Sequence, residues 1–194
     1  MNKPIRILGI AGSLRRNSYN RAALRAAQAL VPQDAVLDII DLDGIPVSSE
    51  HDERHPPAKV VEFKKRIREA DAILFVTPEY NYSIPGGLKN AIDWASRPYG
   101  DNAWANKPAA IMGASIGRFG TARAQYHLRQ VFVFLNMFTV NQPEVMIGNA
   151  AEQFDADGNL TNETSKDLIR RLLAKLVSWT RDLQKGRESA DRAG

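Results

Sequence analysis

Short apolar runs of strand length recur along the chain, and segments with helical spacing separate them. Residues 5–11 (IRILGIA) form the first run, ended by Gly12. Residues 20–30 (NRAALRAAQAL) are alanine-rich and helical, with Ser18 or Asn20 as the N-cap. Residues 36–41 read as a second strand, and the Pro-, Ser- and charge-rich residues 42–57 as a surface excursion. Val60, Val61, Phe63 and Ile67 form a helical stripe within residues 58–70. A third strand spans residues 72–77 (AILFVT), and a helix over residues 86–96 carries Leu88, Ile92 and Trp94. A fourth strand spans residues 109–114, a helix follows over 122–135, and a fifth strand lies within 138–146. The last helix, residues 164–183, places Leu168, Leu172, Leu173, Leu176 and Val177 on one side.

Strands that are apolar on both sides and alternate with helices make a five-stranded parallel sheet with helices on both faces, an α/β fold. In such a doubly wound sheet, ligands sit beyond the carboxyl ends of the strands, near the switch in strand order. The three most unusual loops follow the first, third and fourth strands, so all three lie at one edge of the sheet.

The first loop, residues 12–20 (GSLRRNSYN), offers hydroxyls, an amide, arginines and a helix N-terminus, the ingredients of an anion site. It is neither a Walker A loop nor G-x-G-x-x-G, which disfavours ATP and a pyrophosphate cradle and suits a single phosphate monoester. The competing reading is a capped helix beside a solvated arginine. The second loop, residues 77–87 (TPEYNYSIPGG), is stiffened by two prolines and suits a planar heterocycle that needs hydrogen bonds at its edge. A stiff turn with packed aromatics is equally consistent with it. The third loop, residues 115–121 (SIGRFGT), adds hydroxyls and close backbone approach, and by itself reads equally as a connecting loop.

The segments GSLRRNSYN and TPEYNYSIPGGLKNAIDW resemble the two signature segments of the NADPH-dependent FMN reductase family, which includes quinone, chromate and azo-dye reductases. The similarity runs from about residue 5 to 148, through GASIGRFGTARAQYHLRQ. The resemblance implies a flavodoxin-like fold, a single domain over residues 1–185, and the end of the chain, 186–194, reads as a disordered tail. It implies that Ser13, Arg15, Ser18 and Asn20 hold the FMN phosphate. Pro78, Glu79, Tyr80 and Asn81 would line the isoalloxazine, largely through backbone groups, and Ser115 and Gly117 would complete the pocket. Thr121 departs from the pattern, because relatives often carry a second glycine after Gly120; this leaves the shape of the third loop open. The resemblance also implies a homo-oligomer, a dimer or tetramer, with Tyr82, Arg123, Tyr126 and Glu144 clustered across a subunit boundary.

Composition narrows the alternatives. The chain has 194 residues, 44% hydrophobic and 25% charged, with a formal charge of +4. That excess is no concentrated basic stripe, so nucleic acid is not an expected partner. Without cysteine there is no disulfide, thiolate or Cys-ligated metal chemistry. The start of the chain reads as a strand rather than a signal peptide, and no apolar run approaches the ~20 residues of a membrane span. A cytoplasmic location is therefore expected, with no membrane partner.

His51 and His55 have i, i+4 spacing but precede two prolines, and read as a solvated loop rather than a metal site. Residues 155–159 read as a turn, not a calcium loop, and His127 as a packing residue. Arg118 reads either as a contact to an NADPH phosphate or as a solvated side chain. The leading expectation is an enzyme passing two electrons from NADPH or NADH through FMN to a small-molecule acceptor, with no catalytic acid or base of its own. The alternatives are a flavodoxin-type electron carrier and a nucleotide-binding regulatory module.

Overall fold

The structure is a computed structural model that describes residues 3–193, with side chains through residue 190; Gly194 of the expected tail lies outside it. The elements are β1 (Ile5–Ala11), α1 (Tyr19–Ala29), β2 (Ala35–Ile40), α2 (Ala58–Glu69), β3 (Ala72–Val76) and α3 (Gly86–Ala95). They continue with β4 (Pro108–Ala114), α4 (Ala122–Leu135), β5 (Phe138–Thr139), β6 (Val145–Ile147) and α5 (Glu163–Ala193). The strands run parallel in the order β2-β1-β3-β4-β5, with β6 also paired to β4. This is the flavodoxin-like arrangement.

The expected fifth strand is one sheet position filled by two short pieces. β5 pairs with Pro108 and Ala109 at the start of β4, and β6 with Met112 to Ala114 at its end. Pro143 lies between them, and a proline cannot donate to a ladder. The last helix is also longer than its apolar stripe suggests, continuing through residues 186–193.

Alternation along the buried strands explains their continuous apolar runs. Ile7, Leu74 and Met112 face one side, against Leu24 of α1 and Leu172 and Leu176 of α5. Leu8, Ile73 and Ile111 face the other, against Phe63, Ile92 and Phe132 of α2, α3 and α4. Trp104, from the segment between α3 and β4, is fully buried on that second side, and its indole N–H donates to Ile92 O at 3.0 Å.

Sheet order reverses between β1 and β3, and the crevice at that reversal opens at the carboxyl edge. Gly113, one residue before the end of β4, lets the three loops meet there. A Cβ at this position would overlap Thr121 Oγ1 and the carbonyl oxygen of Thr77. Gly113→Ala is expected to lower stability by about 1–3 kcal/mol, the range for overpacking a tight site. Urea unfolding checks this, with the midpoint moving down at constant slope.

Candidate functional site

A cleft of about 300 Å³ opens at the crevice and is lined by Ser13, Arg15, Ser18 and Asn20, by Pro78, Glu79 and Tyr80, and by Ser115. Asn17, Tyr19, Ala114 and Ile116 also line it, although none was among the expected site residues. Their signal was available: each neighbours an expected residue in the first or third loop.

In the first loop, Ser18 caps α1, its hydroxyl oxygen accepting from the N–H of Asn20 at 3.2 Å and of Arg21 at 3.4 Å. Its O–H proton remains available to a ligand. Among the described residues, the main-chain N–H groups of Asn17, Ser18 and Tyr19 have no hydrogen-bond partner. Oriented N–H groups at a helix start favour an anion. Asn20 has a different task. It is buried; its Nδ2 donates to Ala114 O at 2.8 Å and its Oδ1 accepts from Ala114 N at 2.8 Å. The amide thus copies a strand pairing and joins α1 to the end of β4.

The second loop turns on Asn81 and Tyr82, both at positive φ (49° and 69°). Tyr80 and Ser83 exchange both main-chain hydrogen bonds, at 2.9 and 3.0 Å, which closes a two-residue turn of the I′ kind. Positive φ is unusual for a residue as bulky as tyrosine, and the loop holds it with outside contacts. The guanidinium of Arg123 stacks 3.8 Å from the Tyr82 ring centre, and His127 Nδ1 lies 3.1 Å from Ser83 Oγ. His127 is exposed, so it is not the packing residue that the sequence suggests. The buried positions of α4 are Ala124, Gln125, Leu128, Phe132 and Leu135, and 127 falls outside that stripe.

Glu79 lines the cleft, and its carboxylate is engaged by the start of α4. Oε2 accepts from the N–H groups of Arg123 at 3.0 Å and Ala124 at 3.3 Å, and Oε1 pairs with the Arg123 guanidinium. It thereby caps α4, whose own N-cap residue, Thr121, makes no capping bond. The bond to Glu79 raises the Arg123 pKa above its ordinary value. Arg123 therefore already has a counter-charge within the chain, and Tyr126 Oη donates to Glu144 at 2.9 Å in the same way. That carboxylate holds the Tyr126 phenol above its usual pKa.

In the third loop, Gly120 takes the left-handed turn at φ 59°, and Thr121 is extended at φ 172°. Thr121 therefore needs no glycine's freedom, and its hydroxyl accepts from Gln125 Nε2 at 3.1 Å. Gly117 N donates to Ser115 Oγ at 3.1 Å, and Arg118 stacks 5.0 Å from the Phe119 ring centre. Asp155 Oδ1 accepts from Asp157 N and Asn159 N, so residues 155–159 are the expected turn. Among the described residues no cluster of His, Cys, Asp or Glu could hold a metal, and no helix is long and apolar enough to cross a membrane.

A family model described as NADPH-dependent FMN reductase matches residues 5–152. An NAD(P)H-dependent FMN reductase of Pseudomonas aeruginosa is 53% identical, the alignment covering 95% of this chain and 100% of that protein. A 2-hydroxy-1,4-benzoquinone reductase of a Burkholderia species is 43% identical, with coverages of 92% and 97%. Among solved structures, the flavoenzyme NAD(P)H:(acceptor) oxidoreductase FerB of Paracoccus denitrificans superimposes with a TM-score of 0.85 at 35% identity, covering 92% of this chain and 98% of that one. Two signature loops, a parallel sheet that brings them to one cleft, and relatives alike over nearly their whole length place this chain in the NADPH-dependent FMN reductase family.

Proposed function

We propose that the protein is an NAD(P)H-dependent, FMN-containing oxidoreductase that passes two electrons from NAD(P)H to a quinone or another small oxidised acceptor, chromate and azo dyes included. The observation that carries this reading is the cleft itself. Its lining joins the first loop, with partnerless N–H groups and the Ser18 hydroxyl, to Pro78, Glu79 and Tyr80 of the stiff second loop. FMN, when bound, supplies the hydride and electron chemistry. The relatives named above are reductases and oxidoreductases, which favours an enzyme over an electron carrier.

The chain's residues bind and position. Ser13, Arg15, Ser18 and the N–H groups of Asn17 and Tyr19 hold the phosphate. Asn20 braces that loop against β4 and reaches the phosphate only through the backbone it fixes. The N–H groups of Glu79 and Asn81, free of intramolecular partners among the described residues, face the polar edge of the flavin ring, with Pro78 and Tyr80 beside them. Ser115 and Gly117 close the third side. Glu79 positions this loop through α4. No side chain is assigned as an acid or base. The cytoplasm, where NAD(P)H is kept, is the compartment this reading implies.

The functional unit is a homo-oligomer. Phe119, Val133 and Phe134, at the start of α4 and along it, are exposed by 59%, 82% and 76%, and Tyr82 adds a ring from the flavin loop. Exposed apolar and aromatic side chains on this helix and on the loops beside it suit a second copy of the chain. The Tyr126–Glu144 and Arg123–Glu79 pairs border it.

Four outcomes test this reading. The purified protein is expected to be yellow and to oxidise NAD(P)H with a quinone; a colourless protein that takes up no FMN ends it. Arg15→Ala is expected to weaken FMN binding by about 1.5–3 kcal/mol, the worth of a hydrogen bond to a charged group, as read by fluorescence titration. An unchanged dissociation constant removes Arg15 from the phosphate site. Glu79→Ala uncaps α4 and is expected to cost about 1–2 kcal/mol in thermal unfolding, with Glu79→Gln costing less because its amide oxygen still accepts. For the assembly, light scattering at micromolar concentration should give a multiple of the chain mass, and Phe134→Asp should reduce it; a monomeric wild type refutes the oligomer.

A further inference from the structure

A second cleft, of about 380 Å³, lies among α1, the turn of residues 155–159 and the first turns of α5, and shares no lining residue with the flavin cleft. Its lining is of two kinds. Ala22, Ala26 and Ala29 of α1, with Leu30 and Leu160, are apolar. Arg25 of α1 and Lys166 and Arg170 of α5 are cationic, and no acid lines the cleft. The turn that completes it is held from within. Asp155 Oδ1 accepts from the N–H groups of Asp157 and Asn159, Asp155 Oδ2 accepts from Asn159 Nδ2 at 3.0 Å, and Phe154 pairs with Leu160 across the base. Gly158, at φ 79°, leaves room for the Arg25 guanidinium; a Cβ there would lie 3.3 Å from Arg25 Nη2.

The neighbouring acids leave these cations incompletely matched. Glu163 serves two of them, Lys166 at 2.7 Å and Arg170 at 3.9 Å, in exposed pairs of the kind that contribute little and exchange readily. Asp155 is spent within the turn, and Asp157 pairs with none of the three. Arg25 makes no ion pair or hydrogen bond through its side chain among the described residues. A guanidinium seated against main chain without a counter-charge, beside an ammonium that spends one donor on Glu163, presents charge-assisted donors to an oxyanion.

We propose that this cleft is a second ligand site, for a small organic phosphate monoester whose carbon body is apolar. Arg25, Lys166 and Arg170 take the phosphate, and the alanine face of α1 with Leu160 takes the body. A phosphate monoester is close to a dianion at neutral pH and carries three strong acceptor oxygens, which three cations can share. A carboxylate brings a single charge and two oxygens to the same donors. The apolar lining adds affinity only for a ligand that has carbon to bury, which separates the ester from free phosphate. The site stands apart from the flavin and does not depend on the reductase reading.

The test titrates the FMN-loaded protein calorimetrically at neutral pH with phenyl phosphate, benzoate and inorganic phosphate. Phenyl phosphate is expected to bind about tenfold tighter than inorganic phosphate, because burial of the ring adds to the charge contacts, and tighter than benzoate. Arg25→Ala and Lys166→Ala should each weaken it by about tenfold, as a hydrogen bond to a charged group is worth. Arg16→Ala, in the space beyond β2 that Arg25 also borders, should leave it unchanged. No binding of phenyl phosphate, equal binding of inorganic phosphate or of benzoate, or a loss caused by Arg16→Ala and not by Arg25→Ala would each overturn the assignment. Flavin content and NAD(P)H oxidation are measured alongside. Their absence in the wild type would refute the reductase reading, while the dependence of phenyl phosphate binding on Arg25 would still decide the cleft.

Discussion

The side-chain amide of Asn20 pairs with both main-chain groups of Ala114, and this single buried contact joins the start of α1 to the end of β4. The cleft depends on it because the first and third loops emerge from those two points. A buried amide satisfied on both sides is rigid; one stripped of its partner leaves main-chain groups of a central strand unpaired at a cost of about 1–3 kcal/mol. The first loop can therefore present open N–H groups to a ligand without its backbone collapsing onto them.

A second tie works across the same edge. Glu79, in the loop after β3, caps α4, which begins after β4. With Arg123 stacked on Tyr82 and His127 beside Ser83, three contacts hold a turn that contains two consecutive left-handed residues. Strain of that kind persists only where neighbours over-determine it. The start of α4 and the loop are thus tied together, and a change at the exposed face of α4 has a mechanical route to the loop that lines the cleft.

Much of this was legible in the sequence, for identifiable reasons. Strands buried on both faces announce themselves as unbroken apolar runs, so β1 and β3 lie where the pattern places them to within a residue. The two signature loops converge because strand direction alone decides which loops share an edge. What escaped depends on distance or on phase. The partner of Glu79 is 44 residues away, and no local pattern reports it. Asn20, which the family resemblance puts among the phosphate residues, spends its amide on a strand 94 residues further on. Trp104 lies in a segment without periodicity, and only the folded core shows its role. The break between β5 and β6 had a visible sign in Pro143 and in the polar residues that flank it, Asn141, Gln142 and Glu144.

That break also settles which side of the sheet is open to growth. An unpaired strand edge is a template on which another chain can add a strand, and short or interrupted edges resist this. Beyond β4 the sheet ends in pieces of two and three residues on either side of a proline, too short to template much. The opposite margin, β2, is a six-residue strand with Val36 and Ile39 partly exposed, and Asp38, between them, is the one charged residue in it. Misassembly by strand addition is thus directed to a single margin, guarded by one carboxylate, so the aggregation resistance of this fold is concentrated at position 38.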